Sequence, residues 1–582
     1  MIQKNEVLLK SNNEWLYFSN PHHLISTDSI ESVRAALQEV ERLINTNNWH
    51  AAGFISYEAA PAFDSALNVK TTGNFPLLWF GLYPQPQAIK TLESLREFSG
   101  LPVLDWQADI TRESYNTAIE KVKDYIAQGK TYQVNYTMRL DANFKGREWD
   151  FFLNLAQMQN KYAAYIDTGR HVICSASPEL FFKLNGDKIF SCPMKGTAKR
   201  GHTTSEDLKQ AEWLHNSVKN RAENVMIVDM IRNDLGRIAR IGSVQVPELF
   251  KIEKYPTLLQ MTSTVQANTD ASLDEIFSAL FPCASITGAP KVSTMNIIAE
   301  LESTPRKIYT GSIGYIAPNR KAQFSVAIRT ALFDRETSKV EYGVGGGIVW
   351  DSTSADEYSE ALLKARVLWD PPKEFSLLET ILWTPQNGYF LLEKHIERMR
   401  DSADYFSFMF SRERLADHLE KLSTRFNSPQ RVRILVNRTG LIDSEAHPFQ
   451  ATEKSFKACL AKHPVNSDEI FLYHKTTNRN FYPPATQPGM DGTLLYNEKR
   501  ELTEFNIGNL VVEINGELRT PPISCGVLAG TFRGYLLETK QIQERIIHLK
   551  ELSKCSKIFL VNSVRQWVKV EMSGSRGGLS KS

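Results

Sequence analysis

The feature that most constrains this chain is a break. A stretch that reads as helix, Ala355 to Leu368, runs into Trp369-Asp370-Pro371-Pro372-Lys373-Glu374. Two adjacent prolines cannot continue a helix, because each lacks the backbone N–H and clashes with the preceding turn. At 582 residues the chain also exceeds what one hydrophobic core usually organises. The sequence therefore predicts two domains, residues 1–371 and 376–570, joined by a linker at 372–375. Residues 571–582, with their glycine–serine run, read as a flexible tail, and no internal repeat is visible.

Composition enters as an exclusion. With 68 basic and 66 acidic residues the net charge is +2, so no surplus field invites nucleic acid or an anionic membrane, and small-molecule chemistry is the expectation. The six cysteines are scattered with no Cys-x-x-Cys pair, which suits a reducing compartment and argues against a zinc ribbon or disulfide framework. Met1 is followed by polar residues and no run of about eighteen apolar residues occurs, so a cytoplasmic protein is expected.

Both halves mix helix and strand, an α+β pattern. Lys188–Cys192, Ala322–Ile328 and Val340–Val344 read as strands before the break, and Glu212 to Ile238 as one long helix ending near Gly236. After the break, Arg431–Val436 reads as strand and Leu391–Phe406 as helix.

Several residues of the front half can carry chemistry, though each also fits a plainer account. Lys195, in Pro193-Met194-Lys195-Gly196-Thr197, is a nucleophile if burial or a nearby cation lowers its proton affinity, and otherwise a solvated turn lysine. Glu357 and Glu360 share a helix face, and Glu223 sits mid-helix, where an isolated carboxylate would be costly to bury. Such carboxylates can hold Mg²⁺. Equally, Ser354-x-x-Glu357 fits a capping box, and Glu360 with Lys364 an ordinary i, i+4 pair. Gly343-Val344-Gly345-Gly346-Gly347 either brings backbone N–H groups close to an anion or marks a strand bend. Ile348 stands where a dinucleotide fingerprint needs glycine.

Taken together these blocks resemble a known family. From about 110 to 370 the chain carries Tyr132-Gln133-Val134-Asn135, Ser177-Pro178-Glu179, the Lys195 block, Arg221 to Asp229, Arg232 to Arg237, Ile286 to Lys291, Ile308-Tyr309-Thr310-Gly311, Val326 to Arg329, Gly345 to Val349 and Glu357-Tyr358-Ser359-Glu360. In this order they resemble the chorismate-utilising enzymes, and within them the aminodeoxychorismate synthase branch, whose fold has large antiparallel sheets with outer helices. The resemblance implies that Lys195 attacks C2 of chorismate and Glu179 protonates the departing hydroxyl. It also implies that Glu223 and Glu360 ligate Mg²⁺, with Glu357 acting through water. Tyr309, Gly311, Arg329, Gly346 and Lys364 would contact substrate. Anthranilate synthases have alanine where Lys195 stands. Two departures are Gln260, where many relatives have histidine, and Asn220, where they have an acid.

Residues from 376 to about 570 resemble the class IV pyridoxal-phosphate enzymes, a two-subdomain fold. The carrying blocks are His395 to Ala403, Lys475-Thr476-Thr477-Asn478-Arg479, Glu501 to Glu504, Thr520-Pro521, Gly526 to Arg533 and Val561 to Arg565. The resemblance implies that Lys475 holds the cofactor and moves a proton, and that Glu504 faces the pyridine nitrogen. Arg398, the N–H groups around Thr531 and Phe532, and Ser563 would hold the phosphate, and Arg479 follows the lyase pattern rather than the transaminase one. Without the resemblance, Arg398 fits a surface pair with Glu397 or Asp401, and Lys475 a solvated strand end. No Gly-x-Cys-x-Gly turn surrounds any cysteine, so a separate glutamine amidotransferase subunit is the expected ammonia source. A homodimer through the back domain is a further expectation of the resemblance.

Overall fold

The fold is a computed structural model that describes residues 3–11, 14–90, 92, 102, 104–158, 161–255, 258–369, 374–450, 456–482 and 489–573. The core of the predicted break, residues 370–373, and the tail beyond 573 lie outside the described residues. The chain divides into two compact units, residues 1–199 with 211–372, and residues 200–210 with 373–582.

Among the described residues the first unit contains two ten-stranded sheets in which every pairing is antiparallel. Their inner faces meet over Val7, Phe18, Ile166 and Ile173 from one sheet and Phe54, Trp79 and Ile313 from the other. Helices cover both outer faces. Ile30–Asn47 buries Val33, Leu37, Val40 and Ile44, a stripe of three- and four-residue steps, and stops at Asn48 in the left-handed conformation with φ 57. Arg112–Ala127 and Ser354–Lys364 cover the other sheet.

The strand Gln133–Asn143 organises the functional end. It pairs with Lys339–Ile348 over ten consecutive positions, from Asn143 opposite Lys339 to Val134 opposite Ile348. The predicted strand at Val340–Val344 is thus longer, and the glycine run lies inside it rather than in a bend. Lys188–Cys192 matches its prediction.

The long helix expected over Glu212 to Ile238 is two helices, Thr204–Asn216 and Val218–Gly236. The break falls at Ser217, whose hydroxyl accepts the N–H of Asn220 and so caps the second helix. The expected capping box at Ser354 is likewise displaced. Thr353 is the cap residue, accepting the N–H of Asp356, and the helix ends at Lys364 before a 3₁₀ turn over Arg366–Leu368.

The second unit has two parts. A four-stranded antiparallel sheet built on Leu377–Thr384 and Gln430–Val436 packs against the helices Leu392–Phe406 and Arg412–Ser423 around Ile381, Ile396, Met399 and Val432. An eight-stranded mixed sheet carries the helix Thr531–Glu538. Its last strand runs to Met572, two residues into the stretch read as tail.

Candidate active sites

In the first unit, Lys195 lies within the strand Met194–Lys199, and its amine rests on the bare backbone of Gly347, where a Cβ would come within 2.7 Å of Nζ. The same Cβ would meet the Gln133 amide at 3.0 Å, so glycine here lets both side chains approach. Gly343 serves in the same way for the ring of Tyr309, which stands 2.2 Å from where its Cβ would be. The glycine run is a bare strand face onto which functional side chains are laid.

Burial holds the Lys195 amine below its ordinary proton affinity, and Lys364 adds to that effect, while Glu223, Glu360 and Glu357 pull the other way. Glu179, also coupled to Lys195, is buried and pushed up to about 7 by loss of solvent, although Ser285 donates to its Oε1 at 2.6 Å. The amine is thus shifted toward its neutral form and the carboxyl toward its protonated form, each away from its ordinary state.

The acidic helix face behaves less simply. Lys364 bridges Glu360 Oε1 at 2.9 Å and donates to Gly345 O at 2.8 Å, holding the Glu360 carboxyl below its ordinary range. Ser352 donates to Glu357 at 2.6 Å, yet burial raises that carboxyl overall. Among the described residues no group of three His, Cys, Asp or Glu side chains is assembled to hold a metal. The expected trio therefore surrounds Lys195 electrostatically without forming a ready ligand set. Mg²⁺ needs only one or two carboxylates, with water and ligand oxygens completing its shell. Glu223 and Glu360 both act electrostatically on Lys195.

Arg329 is a partly buried cation with no side-chain hydrogen bond or carboxylate partner among the described residues, and loss of solvent lowers its proton affinity. A guanidinium so placed can pair with an anion. Tyr309 is buried, with Arg139 over its ring at 5.2 Å. Gly311 is packed against Ile55 and Tyr57, and its N–H is bonded to Ile308 O at 2.9 Å, so it supports the Tyr309 turn from behind. Gly346 would bring a Cβ to 3.0 Å from Glu357 Oε2 and 3.6 Å from Lys364 Nζ, on the strand face opposite to that of Gly347. Gln260 donates to Gly196 O at 2.9 Å, steadying the turn beside Lys195, and Asn220 bonds Ser217 at the helix cap.

Sequence reading missed Gln133, whose buried amide has both polar atoms without partners among the described residues, and Ser285. The signal for Gln133 was a long polar side chain opening the longest buried strand.

In the second unit, Lys475 is pushed down to about 8 by burial and then by Arg398. Glu504 is buried and pushed up to about 7 by loss of solvent, even though Tyr482 donates to Oε1 at 3.0 Å and Asn509 to Oε2 at 2.9 Å. Arg398 has neither of the surface partners considered for it. It grips Glu379 through Nε at 2.8 Å and Nη2 at 2.7 Å, while Nη1 donates to Ala529 O at 3.0 Å. His395 completes this cluster, with Nδ1 2.6 Å from Glu379 and Nε2 3.2 Å from the hydroxyl of Thr531. Burial alone would raise Glu379, but Arg398 and His395 override it and hold the carboxylate well below its usual range. Glu379, Tyr482 and Asn509 were not found from sequence.

The helix Thr531–Glu538 begins at Gly530 with no side-chain cap, leaving N–H groups open to an anion. Gly530 is required there, since a Cβ would lie 1.8 Å from Asn509 Oδ1. Phe532 packs on Phe390, Tyr535 and Trp567, and Ser563 donates to Thr380 O at 3.4 Å. Arg479 lies over the Tyr482 ring at 4.5 Å and donates to Asn506 O. An aldehyde cofactor with a basic ring nitrogen and a phosphate fits this set. Lys475 offers an amine, Glu504 a carboxyl that would ionise beside a ring cation, and the helix end a phosphate seat.

The fold and these two lysine-centred clusters define a two-module protein. The chain belongs to the chorismate binding enzyme family, whose model matches residues 3–370. Residues 376–572 match the model described as amino-transferase class IV. The aminodeoxychorismate synthase component 1 of Escherichia coli (strain K12) is 42% identical over 263 residues, covering 45% of this chain and 58% of that protein. The anthranilate synthase component 1 of Aquifex aeolicus (strain VF5) is 37% identical over 268 residues, covering 45% and 54%. The matched segment thus spans less than two thirds of these relatives' own length. Anthranilate synthase component I from Streptococcus pneumoniae TIGR4 shares the fold with a TM-score of 0.55 and 25% identity, over 62% of this chain and 93% of that one. No helix among the described residues is long and apolar enough to cross a membrane.

Proposed function

We propose that the chain makes 4-aminobenzoate from chorismate in two steps, amination in the first unit and pyruvate elimination in the second. The observation that carries this reading is the Lys195 amine, its proton affinity lowered by burial, seated on Gly347 in reach of the Glu179 carboxyl's field. Lys195 Nζ would bond C2 of chorismate while both ring double bonds shift and the C4–O bond breaks. Glu179 would give its proton to the departing hydroxyl, which leaves as water. Ammonia would then bond C4, both double bonds would shift back, and the C2–N bond would break to free Lys195. Arg329 and Tyr309 would hold the enolpyruvyl carboxylate. Mg²⁺ held by Glu223 and Glu360 would supply positive charge for the ring carboxylate.

In the second unit pyridoxal phosphate would supply an electron sink for the amino-substituted carbon. Glu504 would keep a proton at the ring nitrogen, Lys475 would remove the proton from the substrate carbon, and Arg479 would hold a carboxylate. The uncapped helix start at Gly530, with Ser563, would receive the phosphate, and Arg398, fixed by Glu379, would border it. Loss of pyruvate then leaves an aromatic ring.

We further propose that a separate glutamine amidotransferase delivers the ammonia. Mass analysis tests the central step. With chorismate and Mg²⁺ but no ammonia, Lys195 should gain a mass equal to chorismate less one water, and ammonium should convert that species to product. Glutamine alone should not replace ammonium. An unmodified Lys195 during active turnover would overturn the reading.

A further inference from the structure

Behind the first site lies a buried charge cluster that the proposed steps do not use. Its centre is Arg306, 1% exposed, whose guanidinium ends in five bonds. Nε and Nη2 grip Glu302 at 3.0 and 2.6 Å, Nη2 also donates to Asn135 O at 2.7 Å, and Nη1 donates to Ile286 O at 2.9 Å and Thr310 Oγ1 at 3.4 Å. Its backbone N–H donates to Glu58 Oε1 at 2.6 Å. Glu302 in turn accepts from Thr137 N at 3.0 Å and from Arg139 Nη2 at 3.3 Å, the arginine that covers the Tyr309 ring.

The ends of these bonds are not scattered. Ile286 follows Ser285, which holds Glu179. Thr310 follows Tyr309. Asn135 lies two residues beyond Gln133, beside Lys195's seat. A buried ion cluster is a poor way to gain stability, since well-packed apolar side chains usually do as well. A planar guanidinium with fixed donors, however, can set several backbone segments at once.

We infer that Arg306, seated by Glu302, is the positioning residue of the first site, fixing the Ser285–Glu179 arm and the Tyr309 arm relative to the Gln133 strand. This inference rests on the proposed roles of Glu179 and Tyr309, although the tether itself does not. Losing the fork moves the proton donor and the anion seat together, and a displacement of about 1 Å at such groups is worth roughly 100-fold in rate.

Hydrogen exchange on the ligand-free chain reads the tether without reference to any reaction. Arg306→Lys should speed exchange at residues 284–287 and 308–311, and leave the strand Val340–Val344 protected. In kinetics the same variant should lower kcat and raise KM, and shift the pH limb owed to Glu179. Thr310→Val, which cuts only the Tyr309 arm, should raise KM with kcat within about threefold, and it serves if Arg306→Lys does not fold. Faster exchange at both segments supports the tether even if chorismate proves not to be the substrate. Unchanged exchange at both, or a lower melting temperature with kcat, KM and the pH profile all unmoved, would overturn it.

Discussion

Lys195 and Glu179 show how far a residue's identity can be separated from its state. Their motif blocks marked both from sequence, but the depressed amine and the raised carboxyl follow from burial that no local pattern encodes. The sign of the pH dependence follows. The first step needs Lys195 without its proton, so its rate climbs with pH until that amine is neutral. It also needs Glu179 with its proton, so the rate falls as pH rises through about 7. Glu179→Gln should cost about 10²–10⁴-fold and remove the falling limb from whatever activity remains. A falling limb near 7 that survives the substitution would assign it elsewhere. Glu379 was illegible for a related reason. It meets Arg398 only because a strand and a helix bring them together, and neither stretch announces the pairing.

At the scale of elements, helices and strands with strong periodicity were legible, including Lys188–Cys192 and Leu392–Phe406. The break at Ser217 was not, since apolar spacing continues across it and only a hydroxyl–backbone bond decides that a second helix starts there. The glycine run was visible but ambiguous, because its meaning depends on side chains arriving from elsewhere. In the folded strand it is a smooth surface for Tyr309 and Lys195. Gly347→Ala tests this. Its new methyl would meet the ends of the Lys195 and Gln133 side chains rather than backbone, so the fold should persist while the amine shifts. The expected outcome is a melting temperature within a few degrees of wild type and a fall of about 100-fold in chorismate amination. Full activity would place the amine elsewhere.

At the scale of the molecule, the double proline predicts a division between two domains near residue 372, while the compact units are residues 1–199 with 211–372 and residues 200–210 with 373–582. Assignment of residues 200–210 to the second unit was invisible, because membership of a unit is set by packing, not by sequence order. The claim that joins the units is chemical: one lysine for each of two successive reactions. Mixing two single variants measures this most directly. With chorismate, ammonium and Mg²⁺, Lys195→Ala alone should form nothing aminated at C4, and Lys475→Ala alone should accumulate aminodeoxychorismate. Their equimolar mixture should regain 4-aminobenzoate with one pyruvate for each ring. A mixture that stays silent although both variants are folded, or a Lys475→Ala chain that releases 4-aminobenzoate unaided at the wild-type rate, would contradict the account.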